Sequence, residues 1–218
     1  MFNYFLILIV SFSSVCAFAK IDNKDTKAQK ILIIGDSLTA GYGVSKKEAY
    51  PKLLEEKLRK NGFNYEVVNA GSSGSTTAGC IKRLRWQMRG KLDLLMIALG
   101  PNDGLRGFDL EASKKNLVKC VSLAKSKKIP VVLAGMEIPI NYGEKYRDQF
   151  RSMYKEISQE QGIKLLKFLL VGVAGERKLN IEDGIHPNAS GHEVISKTVF
   201  QFLKSNQLLK NNPKDVRK

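Results

Sequence analysis

Apolar residues in this chain follow two alternating patterns. Short aliphatic runs occur at Ile31–Gly35, Tyr65–Asn69, Asp93–Leu99, Pro130–Gly135 and Ile163–Phe168, each the length of a strand. Between them apolar residues return every three or four positions: Leu53, Leu54 and Leu58; Ile81, Leu84 and Met88; Leu117, Val121 and Ala124; Phe150, Met153 and Ile157. Ile195, Val199 and Phe202 form a last helical set, and Asn61-Gly62 supplies a stop for the first helix. The aliphatic runs are continuous rather than alternating, as expected of strands covered by helices on both faces. The pattern predicts a βαβ series, hence a doubly wound, three-layer (flavodoxin-like) α/β domain with a five-stranded parallel sheet. At 218 residues, 43% of them hydrophobic, one such domain accounts for the chain.

Two segments lie outside that pattern. Residues 1–19 carry no charged side chain, contain the run YFLILIVSF and end in AFA just before Lys20. A run too short to span a bilayer, followed by a small-residue cleavage pattern, predicts a signal peptide removed before Lys20 and an exported, periplasmic protein. An uncleaved anchor is the rival reading. The domain is then expected over 20–210, with a basic, frayed tail at 211–218.

Lys and Arg number 36 against 21 Asp and Glu, a net charge of +15. Such a balance suits peripheral contact with an anionic membrane or an acidic polymer. Nucleic acid is disfavoured, because basic residues are scattered through every predicted helix rather than gathered in a stripe with interleaved aromatics. Removal of Cys16 with the leader leaves Cys80 and Cys120 on different predicted helices. Export permits a disulfide between them, while two buried thiols fit the sequence equally well. Neither belongs to a C-x-x-C or His/Cys cluster, so no metal site is expected.

The first run ends abruptly in ILIIGDSLTAGYG (31–43), which places Ser37 two residues beyond a strand. In open α/β sheets ligands bind on that carboxyl rim. A nucleophilic serine needs a base, a group that orients the base, and donors for the oxyanion. Both histidines lie in EDGIHPNASGHEVI. Asp183 precedes His186 by three residues in a loop and could orient it, whereas His192 falls within the last helix and reads as non-catalytic. NAGSSGSTT (69–77) and LGPNDGLRG (99–107) also follow strands, offering the Gly74 N–H and the Asn102 amide beside the Ser37 N–H as oxyanion donors. No G-x-S-x-G, P-loop or G-x-G-x-x-G follows any strand, which argues against an ordinary α/β-hydrolase elbow, a nucleotidase and a dehydrogenase.

Taken in order, GDSLTAGYG, NAGSSGSTT, GPND and DGIHP resemble the four blocks of the SGNH hydrolase superfamily, the GDSL esterases and lipases. NDGLRG, AGMEIPINYG and DGIHPNASG are similar to the bacterial arylesterase, thioesterase I and lysophospholipase L1 group. The resemblance implies Ser37, His186 and Asp183 as triad, Ser37, Gly74 and Asn102 as oxyanion hole, and no metal or cofactor. Pro101 and Ser75 depart from it, standing where the group commonly has Gly and Asp.

The implied activity is hydrolysis of an acyl ester through an acyl-enzyme, with a lysophospholipid, aryl ester or thioester as substrate. An envelope carbohydrate deacetylase or acyltransferase would use the same residues, and a non-catalytic lipid- or polymer-binding protein would use only the fold. GMEIPINYG (135–143) follows the fourth strand, so Met136, Ile138, Pro139 and Tyr142 are expected to wall an acyl groove. Leu105 and Arg106, from GLRGF (104–108), would face them across it.

Overall fold

In a computed structural model, which describes residues 28–210, β1 (Gln29–Gly35) is an inner strand, paired on both sides. Its apolar run Ile31–Ile34 is 0% exposed, as a strand sandwiched between helical layers must be. β3 (Leu94–Ala98) is buried along its whole length, and so is β4 (Val131–Ala134). β2 (Tyr65–Gly71) and β5 (Lys164–Leu166) form the edges and are partly exposed. The order is β2-β1-β3-β4-β5, every pairing parallel. This is the expected doubly wound, flavodoxin-like arrangement. The predicted leader (1–19) and tail (211–218) lie outside the described residues.

The helices divide into two layers. α2 (Tyr50–Lys60) packs on β2 and against α7 (Ala189–Ser205). In the other layer α5 (Leu110–Ser126) lies between α3 (Cys80–Gln87) and α6 (Glu144–Gln161). Cys80 and Cys120 are joined by a disulfide, so α3 is covalently fixed to α5. The sequence left this pairing open, because it did not show that these two helices are neighbours.

Two one-turn helices matter most for the site. α1 (Ser37–Ala40) follows β1, and α4 (Pro101–Leu105) follows β3. From β1 the chain goes out to β2 and then returns to β3 on its other side, so α1 and α4 flank the switch point of the sheet. Gly35 and Ala98 are paired across that boundary, which brings the two helix starts side by side.

Candidate active site

Ser37 stands half-buried on the rim because β1 ends in a glycine and a helix cap. A Cβ on Gly35 would sit 1.9 Å from Thr39 Oγ1, so only glycine lets α1 fold back onto the strand. The Leu38 N–H donates to Asp36 Oδ1 at 3.0 Å, which makes Ser37 the first residue of α1. Its N–H is then one of the donors that a helix start leaves unused. Burial pushes the Asp36 carboxyl up to about 6, against the Leu38 bond and the charges of His186 and Arg83. Its second oxygen, Oδ2, meets no hydrogen-bond partner among the described residues.

Ser37 Oγ lies 2.8 Å from His186 Nε2, across 149 residues of sequence. His186 Nδ1 is 2.6 Å from Asp183 Oδ2. The Ile185 and His186 N–H groups both donate to Asp183 Oδ1 at 3.0 Å, so the carboxylate and the imidazole share one tight turn. Partial burial raises the Asp183 carboxyl, but the two N–H bonds and the imidazole outweigh it and hold the group below its usual range. A carboxylate at Nδ1 places the imidazole proton there and leaves Nε2 to accept from the serine hydroxyl. Tyr42 completes this corner: its N–H donates to the Ser37 carbonyl and its ring lies 4.7 Å from the imidazole, centre to centre.

Asn102, the second residue of α4, donates from Nδ2 to the Ser75 carbonyl at 3.0 Å. One amide proton braces the loop after β2, and the other remains for the cavity that Asn102 lines. Gly74 lies on that loop with φ 74°, a left-handed conformation that suits glycine. It stands beside the cavity rather than in its lining. Both departures from the family pattern fit locally. Pro101 takes the first helical position, where its missing N–H costs nothing, and Ser75 contributes its backbone carbonyl. Asp103, 2% exposed, locks the same loop by accepting from the N–H and hydroxyl of Thr77 and the hydroxyl of Ser113.

A cavity of about 670 Å³ opens at Ser37, Asn102 and His186. Leu105, Met136, Ile138 and Pro139 line it as the sequence suggested. Arg106 and Tyr142 do not. The Arg106 guanidinium donates to the Gly74 carbonyl and the Tyr142 hydroxyl to the Leu105 carbonyl, so both brace loops instead of facing substrate. A rim position gives a residue's neighbourhood but not the direction of its side chain. Further lining residues, Phe168, Leu170, Ala174 and Ile185, were not expected there. The only signal for Leu170 and Ala174 is an apolar stretch after the fifth strand with neither helical nor strand period.

His192 lies away from this chemistry. It is 0% exposed within α7, its Nδ1 accepts from the Tyr50 N–H, and burial pushes it down to about 4. Among the described residues no group of three or more His, Cys, Asp or Glu side chains is arranged to hold a metal ion.

Comparison with known proteins identifies the family. The profile of the GDSL-like Lipase/Acylhydrolase family matches residues 33–194, from β1 to α7. An arylesterase of Vibrio mimicus is 36% identical over 81% of this chain and 88% of its own length. The esterase TesA of Pseudomonas aeruginosa is 35% identical over 81% and 89%. A crystal structure of TesA superposes with a TM-score of 0.78 at 34% identity, covering 81% of this chain and 99% of that one. The psychrotrophic esterase EstA from a Pseudoalteromonas species, inhibited by monoethylphosphonate, gives 0.79 at 32% identity, covering 82% and 98%. By its ordered motifs, its sheet and these relatives, the chain belongs to the GDSL-like lipase/acylhydrolase family of ester hydrolases.

Proposed function

We propose that this carboxylic ester hydrolase works through Ser37 as nucleophile, His186 as general base and acid, and Asp183 as the group that orients His186. The observation that carries the reading is the 2.8 Å approach of Ser37 Oγ to His186 Nε2 at the mouth of an apolar cavity, with Asp183 behind the imidazole. As Ser37 Oγ bonds to the acyl carbon, its proton passes to Nε2, and Asp183 stabilises the resulting imidazolium. The carbonyl oxygen becomes an oxyanion facing the Ser37 N–H and Asn102 Nδ2, with the Gly74 N–H, on the loop beside the cavity, as the third donor that the family resemblance implies. Collapse breaks the bond to the leaving group, which takes the proton from Nε2. Water, deprotonated by the same nitrogen, then releases the acid and restores the serine.

A largely apolar lining supports an acyl chain as the part of the substrate held in the cavity. Arg147, also in the lining, supports a lysophospholipid over an uncharged ester, while aryl esters and thioesters share the same reacting carbonyl. The test is hydrolysis of p-nitrophenyl esters from acetate to laurate, and of a lysophospholipid. Each buried methylene contributes roughly 0.8 kcal/mol, so efficiency should climb with chain length until the cavity is full. Strict preference for acetate would contradict the reading and favour the carbohydrate deacetylase.

The site of action we propose is the periplasm, with peripheral contact at an anionic membrane. The charge-free leader and the disulfide support export, since such bonds persist in oxidising compartments. N-terminal sequencing of protein from the exported fraction should begin at Lys20, and an intact Met1 on membrane-bound protein would contradict it.

A further inference from the structure

Several basic residues elsewhere in the fold pair with carboxylates. Lys30 pairs with Glu66, Lys57 with Glu193, and Lys114 with Glu156 and Glu160. α3 differs. From Val67 to Leu92 the chain has no Asp or Glu, yet it carries Lys82, Arg83, Arg85, Arg89 and Lys91. Among the described helices of eight residues or more, α3 alone lacks an acidic side chain. The scatter of charge expected from the sequence therefore holds for the other long helices and fails here.

Arg83 turns inward, donating to the carbonyls of Gly35 and Ala70. Lys82, Arg85 and Arg89 are exposed, and among the described residues none of the three lies within ion-pair distance of a carboxylate. In their midst stands Trp86, 63% exposed, with the Arg89 guanidinium 3.9 Å over its ring. An exposed indole ringed by unpaired cations is costly against water and suited to the boundary between lipid headgroups and acyl chains. The disulfide to α5 holds the strip rigidly against the body. The groove beside it reaches Ser75, whose carbonyl is bonded to Asn102 at the catalytic cavity, so a single loop separates strip from active site.

We propose that Lys82, Arg85, Trp86 and Arg89 form the face by which this protein docks on an anionic lipid bilayer, presenting the catalytic cavity beside the surface. The cations meet the headgroup charge, and the indole enters the interface. This names the face for the membrane contact proposed above. It does not depend on the catalytic roles of Ser37 and His186.

Trp86 is the only tryptophan in the chain, so its emission reports this contact without any label. The mature protein, beginning at Lys20, is titrated with phosphatidylcholine vesicles, with and without phosphatidylglycerol. Vesicles containing phosphatidylglycerol should shift Trp86 emission to the blue and carry the protein down on sedimentation, both effects fading as salt rises. Lys82→Ala/Arg85→Ala leaves Trp86 and Arg89 in place and should weaken binding roughly 30-fold, at about a fivefold loss per cation. Hydrolysis of a water-soluble ester should be unchanged, which shows that the variant is folded. Sedimentation without a blue shift, or binding untouched by the double substitution, would place the contact elsewhere and overturn the proposal. Equal shifts with neutral vesicles would overturn the role of charge. Binding of soluble heparin with no response to vesicles would make the strip a polymer site instead.

Discussion

The Asn102 amide and the Ser75 carbonyl, 3.0 Å apart, tie the loop after β2 to the helix after β3. That bond uses one amide proton to hold the loop bearing Gly74, and it aims the remaining proton into the catalytic cavity. The two residues proposed as oxyanion donors thus share one brace.

Asn102→Ala removes a donor and that brace together. Turnover on p-nitrophenyl butyrate should fall by roughly 10²–10³, the range for loss of one oxyanion donor. A change confined to KM would contradict the assignment, since a transition-state contact acts on kcat.

Two buried titratable groups oppose each other in stability. Asp36 is raised to about 6, so its charged form burdens the native state in full above that pH, and the burden is relieved as pH falls from 6 toward 3.8. His192 is lowered to about 4, so stability is lost as pH falls from 6.5 toward 4, where only the unfolded chain takes up the proton. The slopes nearly cancel in the wild type. Asp36→Asn keeps an oxygen for the Leu38 N–H and removes the first slope. The variant should be more stable than wild type at pH 7.5 by about 1–3 kcal/mol, and the difference should shrink at pH 4.5. Urea unfolding at both pH values checks this; a difference independent of pH would contradict it.

Legibility followed the backbone more than the side chains. Ile31–Ile34 stop at Gly-Asp-Ser, so the strand and the place of Ser37 could be read from hydrophobicity and turn chemistry alone. The turn that joins Asp183 to His186 was equally local, whereas the distance from His186 to Ser37 depends on the whole sheet. Leu170 and Ala174 gave no periodic signal because they lie in irregular turns packed by tertiary contact. Rim loops point to substrate contact for Arg106 and Tyr142, yet their polar ends are taken by carbonyls of neighbouring loops.

The wall missed in the sequence offers its own test. Ala174 is exposed at the cavity lining, so Ala174→Trp should narrow the groove without disturbing the core. Displacing two methylenes costs about 1.6 kcal/mol, hence roughly a tenfold loss of kcat/KM on laurate, with acetate nearly unaffected. Equal losses on both esters would show that the acyl chain does not run along this wall.

The reading of Ser37 as nucleophile meets its most direct test in mass spectrometry after exposure to a fluorophosphonate. One adduct is expected, on the peptide that carries Ser37. It should be absent from Ser37→Ala, whose turnover should drop on the order of 10⁶, and strongly slowed in His186→Ala. An ester-hydrolysing protein that gives no adduct, or one modified elsewhere with Ser37 intact, would contradict the account.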